Sequence, residues 1–174
     1  SWIFYKTFGF KLRVRISKYD PLKPEKYLGN KDQWILAEGI LEDIAKEKEA
    51  DFFIGIGEAA FYGPKLDFIA KDAIGREWQV ATIQLDMNMP ERFDLTCVNE
   101  KSEKERIVMI HAAIMGSIER FMSILIEHTA GKFPLWLSPV QVKIIPIADT
   151  HHEKALELNE KMKNADIRVE IDLS

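Results

Sequence analysis

Arg120, the amides of Gln79 and Gln84, and His111 are the side chains whose type and spacing could do chemistry in this sequence. Arg120 falls about a third of a turn off the apolar stripe Ile114, Ile118, Phe121 and Leu125, with Ala113 and Gly116 near it on the helix that this spacing predicts. Small neighbours leave room for a flat partner. A guanidinium stacks on a purine and donates to phosphate oxygens, which suits Arg120 to ATP, whereas the competing reading is an arginine snorkelling from a helix edge. Gln79 and Gln84 each supply a donor and an acceptor. Their odd separation points them to opposite faces of a regular strand, so a shared site requires a bulge or local twist between Val80 and Ile83.

His111 is a metal candidate at the start of the same predicted helix, set against the plainer reading of a structural histidine, because a metal needs three or four convergent ligands. His151-His152-Glu153 resembles the beginning of a metalloprotease motif, but Leu156 stands where the second histidine would be needed. That segment reads as a polar helix N-terminus. The glycines from Gly55 to Gly63 suggest a phosphate loop, yet such a loop must open a helix, and Gly63-Pro64 favours a turn between strands.

The elements that must position these groups follow from periodicity. Lys11 to Ile16 alternates as a half-buried strand with a wet cationic face, and Asp32 to Glu49 has the spacing of an amphipathic helix. Phe52 to Ile56 reads as a short buried strand. Lys65 to Lys71 and Arg76 to Asp86 form an antiparallel pair whose turn places Gly75 in a left-handed position. Asn99 to Arg106 reads as a loop, and Val108 to His128 as one long helix. Beyond Pro139, a strand at Val140 to Ile147, a helix from His151 to Lys163 capped by Thr150, and a strand through Ile167, Val169 and Ile171 predict parallel pairing.

With 47% hydrophobic and 30% charged residues in 174, the chain has a globular balance sized for one domain and part of another. Its net charge of -4 argues against broad attraction to nucleic acid, although cations are concentrated between Lys6 and Lys31, where a phosphate-contacting strip competes with a solvated face. The single cysteine, Cys97, excludes an internal disulfide, and a reducing, cytoplasmic setting is expected. No apolar run reaches the roughly 18 residues of a membrane span. Both ends have the look of cuts through a longer chain.

The segment from His111 to Phe121 resembles the third signature motif of class II aminoacyl-tRNA synthetases. Its continuation, Ile124-Leu125-Ile126-Glu127-His128 and then Gly131 to Gln141, is similar to the threonyl branch of that family. Phe61-Tyr62-Gly63-Pro64-Lys65-Leu66-Asp67-Phe68, Trp78-Gln79, Thr82-Ile83-Gln84-Leu85-Asp86 and Pro90 to Leu95 agree in the same order. The likeness runs along essentially the whole chain, more loosely before residue 50 and after residue 141.

The resemblance implies an α+β fold. Residues 1–138 would be the C-terminal part of a catalytic domain built on an antiparallel sheet with flanking helices, and residues 139–174 the first β-α-β unit of an α/β anticodon-binding domain. It implies that Arg120 and Lys65 are catalytic and that Gln79, Thr82, Gln84, Tyr62, Ser117 and Arg120 bind ATP or substrate. His111 would be one of three zinc ligands, the cysteine and second histidine lying in the preceding part of the domain, so tightly held zinc is not expected here. The implied reaction joins threonine to ATP, with its magnesium, and passes the acyl group to tRNA(Thr) in a homodimer. Neither the first nor the second family motif is found, so this portion alone is expected to be inactive. Ala112 departs from the family pattern, which has arginine after the zinc histidine. A non-catalytic relative of the synthetases and a tRNA-binding module after Ser138 are the alternative readings.

Overall fold

A computed structural model describes residues 2–174. α1 (Trp2–Thr7) leads into β1 (Leu12–Lys18), where alternation buries Val14 and Ile16 completely. α2 (Lys31–Glu47) starts at a capping box: the Asn30 side chain accepts from the Gln33 N–H, and the Gln33 side chain accepts from the Asn30 N–H. Its buried residues include Trp34, Ala37, Leu41 and Ala45. The chain continues through β2 (Phe52–Ile56), β3 (Lys65–Lys71) and β4 (Glu77–Asp86). Gly75, in the turn between β3 and β4, has φ of 87°, the left-handed position expected there. α3 (Met89–Arg92), β5 (Thr96–Val98), β6 (Lys104–Arg106), β7 (Met109–Ala113) and α4 (Ile118–Thr129) complete this part.

These strands form a five-stranded sheet in the order β2-β1-β3-β4-β7, antiparallel except for β1 with β2. An aromatic group of Phe4, Tyr5, Phe8, Phe10 and Phe121 joins α1 to α4, with Phe4 and Phe8 ring centres 5.6 and 5.2 Å from Phe121. Contacts divide the chain into two compact units, Ser1–His128 and Thr129–Ser174. In the second, β8 (Val142–Ile144) pairs in parallel with β9 (Val169–Ile171), and α5 (His152–Asn164) connects them. Arg168 there donates to the carbonyls of Ser138 and Trp136 at 2.9 and 2.7 Å. The architecture is the α+β combination expected, with a β-α-β unit at the C-terminal end.

Four local expectations change. The predicted helix over Val108 to His128 is instead β7 followed by α4, so His111 lies on a strand. Residues 109–113 gain ladder partners from Asp86 to Thr82 on β4, and Ser117 accepts the Arg120 N–H at 3.4 Å, starting the helix only after Gly116. The buried side of α4 is accordingly Phe121, Ile124 and Leu125, while Ile114 and Ile118 are exposed. Asn99 to Arg106 is not a loop throughout, because its charged residues contribute β6 to a hairpin with β5. β2 is an edge strand with Ile54 and Ile56 exposed, and Thr150 falls inside a short 3-10 turn, Asp149–His151, rather than capping α5. Among the described residues no helix is long and apolar enough to cross a membrane.

Candidate functional site

Cross-strand register sets two polar rows on one face of the sheet. Arg15, Asp67, Thr82 and Ala113 are successive partners on β1, β3, β4 and β7, and beside them run Ser17, Lys65, Gln84 and His111. The β3–β4 register shifts between Phe68 and Ile69, where Ala81 and Gln79 are the successive partners and Val80 is the extra residue. This bulge, at the N-terminal edge of the interval where an irregularity was expected, brings Gln79 onto the face of Thr82 and Gln84. Its carbonyl is held from outside the strand. The Tyr5 hydroxyl lies 2.8 Å from the Val80 oxygen, and the Gly116 N–H donates to the same oxygen at 2.9 Å.

A cavity of about 450 Å³ opens over this face. Lys65, Gln79, Thr82, Gln84, His111, Ser117 and Arg120 all line it, together with Glu58, Ala113 and Gly116. Tyr62, the remaining residue singled out, donates its hydroxyl proton to Gln84 Oε1 at 2.9 Å. Ala113 and Gly116 line the same cavity as Arg120, but from a strand and a turn and not along the one helix expected. Arg120 comes from the first turn of α4 and donates through Nη1 to the Gln79 main-chain carbonyl at 3.2 Å, so its head points toward the sheet and not away from it.

Beneath the cavity lies a group that the sequence reading did not single out. Asp67 is completely buried and accepts from Ser17 Oγ at 2.7 Å, Arg15 Nη2 at 3.0 Å, Gln79 Nε2 at 2.7 Å and Thr82 Oγ1 at 2.8 Å, with Lys65 Nζ at 2.9 Å. Burial alone would push the Asp67 carboxyl up, but hydrogen bonds from Ser17, Lys65 and Thr82 and the Lys65 charge hold it below its ordinary value. Arg15 also meets Glu58 at 3.2 Å. Its stem passes over Gly55, where a Cβ would come within 2.8 Å of Arg15 Cδ, so the absent side chain makes space for this arginine. The cationic face expected to be wet on β1 is therefore partly committed to the site. Its signal was the period-two spacing of Arg13, Arg15 and Ser17, which lacked only the register that sets Arg15 opposite Asp67.

The segment from residue 2 to 129 matches the family model described as tRNA synthetase class II core domain (G, H, P, S and T). The chain belongs to this family. Threonine–tRNA ligases from Chlorobium phaeovibrioides and Desulforamulus reducens are 50% and 51% identical to it over 97% of its length, which is 26% of theirs. It thus spans about a quarter of the curated relatives it matches. A crystal structure titled as the RNA binding domain of threonyl-tRNA synthetase from Cryptosporidium parvum matches with a TM-score of 0.91 at 34% identity, covering 99% of this chain and 43% of that one. A putative threonyl-tRNA synthetase from Aeropyrum pernix matches at 0.75 and 34%, over 94% and 38%.

In this class II core the metal candidate has a specific environment. His111 Nε2 lies 2.9 Å from Asp86 Oδ2, while Asp86 Oδ1 accepts the N–H groups of Asn88 and Met89 at 2.9 Å and so anchors the start of α3. Burial raises the Asp86 carboxyl, but the Met89 N–H, His111 and the Asn88 N–H draw it below the ordinary value. An imidazole braced by a carboxylate through one ring nitrogen fits a single metal-ligand position. Among the described residues no three His, Cys, Asp or Glu side chains converge to hold an ion, and exposed Cys97 lies on the β5–β6 hairpin. Ala112 pairs with Ile83 on the face opposite His111, so this departure from the family pattern leaves the cavity lining unchanged.

Proposed function

We propose that this chain is the catalytic-core portion, residues 1–138, and the opening of the anticodon-binding domain, residues 139–174, of a cytoplasmic, homodimeric threonine–tRNA ligase. One observation carries the reading: seven of the eight side chains expected at the site line one cavity, and the eighth is hydrogen-bonded to one of the seven. In this reading ATP, with its magnesium, lies against Arg120, whose guanidinium stacks on the adenine and compensates phosphate charge. Ser117, at the start of α4, lies beside it. Lys65, Thr82, Gln79, Gln84 and Tyr62 align threonine and the adenylate before the acyl group passes to tRNA(Thr). Little proton transfer is required of side chains, so alignment of carboxylate and α-phosphate is the main contribution.

His111 would supply one ligand of a zinc ion completed by residues outside this chain. Such an ion would take the amino and hydroxyl groups of threonine as ligands and thereby discriminate against valine. Asp86 fixes the imidazole for that role. The test is a chimera in which this chain replaces the matching quarter of a threonine–tRNA ligase that is about half identical to it. Threonine-dependent ATP–pyrophosphate exchange is expected from the chimera, and Arg120→Ala should lower kcat/KM roughly 10²–10³-fold. A well-folded chimera without exchange would sink the proposal.

A further inference from the structure

We infer that Asp67 is a positioning residue of the site: it fixes which of the side chains facing the cavity donate hydrogen bonds and which accept them. The inference rests on the ligase reading and deepens it. An ionised carboxylate only accepts, and Asp67 is enclosed by donors from β1, β3 and β4. The Thr82 hydroxyl has one proton, and it points to Asp67 Oδ1 at 2.8 Å. With one lone pair taken by Gln79 Nε2, Thr82 therefore offers the cavity a single lone pair and no proton. Gln79 Nε2 directs its protons to Asp67 Oδ1 and to Thr82 Oγ1, both at 2.7 Å, and its Oε1 accepts from Arg15 Nη2 at 3.1 Å. The amide cannot turn over without setting its carbonyl oxygen against the carboxylate.

On the other side of the account, the groups left to donate are identified just as sharply. Gln84 accepts the Tyr62 proton through Oε1, and its buried Nε2 has no partner among the described residues. Lys65 gives one of its three protons to Asp67 and keeps two, and Arg120 rests on a main-chain oxygen. The cavity is thus sorted into acceptors at Gln79 and Thr82 and donors at Lys65, Gln84 and Arg120. Asp67 touches none of the cavity surface, so its effect passes through Lys65, Gln79 and Thr82.

The chimeric ligase tests this. Asp67→Asn keeps the shape but puts an N–H group among donors, and is expected to lower kcat/KM for threonine roughly 100-fold. KM for ATP should change less than about threefold, because Arg120 depends on a main-chain carbonyl and not on Asp67. Asp67→Glu, which retains the carboxylate, should recover roughly tenfold over the asparagine variant. Thr82→Val should cost roughly tenfold alone but less than about threefold when added to Asp67→Asn, since the same contact is already lost.

Gln79→Glu keeps the test open should the buried substitution prevent folding. It places a second carboxyl against Asp67, so activity should be low at neutral pH and rise as the pH is lowered and the pair shares a proton. A pH profile parallel to that of the unsubstituted chimera, additive losses for Asp67→Asn and Thr82→Val, or equal losses in threonine and ATP parameters would each overturn the inference. Absence of exchange in the unsubstituted chimera overturns the ligase reading and this inference together, whereas normal exchange with any of those three results overturns only the latter.

Discussion

The two faces of the five-stranded sheet are made by the same strands and obey different rules. On one face Val14, Ile16, Leu66 and Phe68 are buried, and exchange of one apolar group for another of like volume preserves what holds them. On the other face Ser17, Asp67 and Gln84 are buried as well, yet each position is defined by a particular donor or acceptor distant in sequence, 50 residues away for Ser17 and Asp67 and 22 for Gln84 and Tyr62. Alternation tells a strand which face a side chain occupies. It does not tell a polar side chain which partner completes it, and on the second face that pairing is the site.

Removing bulk from the apolar face should have the largest effect on stability. Phe68 is fully buried, and Phe68→Ala is expected to lower the unfolding free energy by about 3–5 kcal/mol, measured as a shift in the urea midpoint with m unchanged. A loss below about 1 kcal/mol would mean that this face collapses around the gap and is not the tightly packed one.

Tyr5 gives the next largest effect, because its hydroxyl lies between the main-chain oxygens of Val80 and Ile114 and so helps to hold the bulge that turns Gln79 into the site. Burial pushes the Tyr5 phenol up to about 12 from an ordinary value of 10.0. The raised value means that the unfolded chain loses this proton first, so the contribution is complete below pH 10 and declines as the pH rises through the folded value. Between pH 10 and 12 the protein should lose on the order of 2–3 kcal/mol of stability through this group. Unfolding followed as a function of pH should show a shallower alkaline decline in Tyr5→Phe, and an identical decline would remove Tyr5 from the account.

How far the molecule was legible follows the same division. The strands β1, β3 and β4 and the Gly75 turn were readable because a period of two and a glycine are local signals. The bulge was readable only through the family resemblance, which puts both glutamines in one site although an unbroken strand would turn them to opposite faces. β7 was misread as helix because Met109 to Ala113 carries no alternating pattern, and only the exposed edge of β4 makes it a strand. Asp67 escaped because its meaning lies in Arg15, 52 residues earlier, and in a register that no local pattern states. The position of His111 in the site survived a wrong secondary structure, whereas the carboxylate that braces it, Asp86, was invisible until β4 and β7 were paired.

The smallest effect sharpens the comparison most. Ser17 is as fully buried as Phe68, yet it stands among charges: its hydroxyl is one of the donors to Asp67, and Arg15 and Lys65 remain when it is removed. Ser17→Ala deletes an oxygen without opening an apolar cavity and leaves the carboxylate still paired with two cations. The cost should therefore approach that of a single hydrogen bond, about 1 kcal/mol, well below the cavity cost on the other face. Because burial tends to raise Asp67 and the Ser17 hydrogen bond tends to lower it, the alanine variant should also lose stability earlier as the pH falls through the acid range. Acid unfolding that begins at the same pH in both proteins would show that the cations alone hold Asp67 charged and that Ser17 merely fills space.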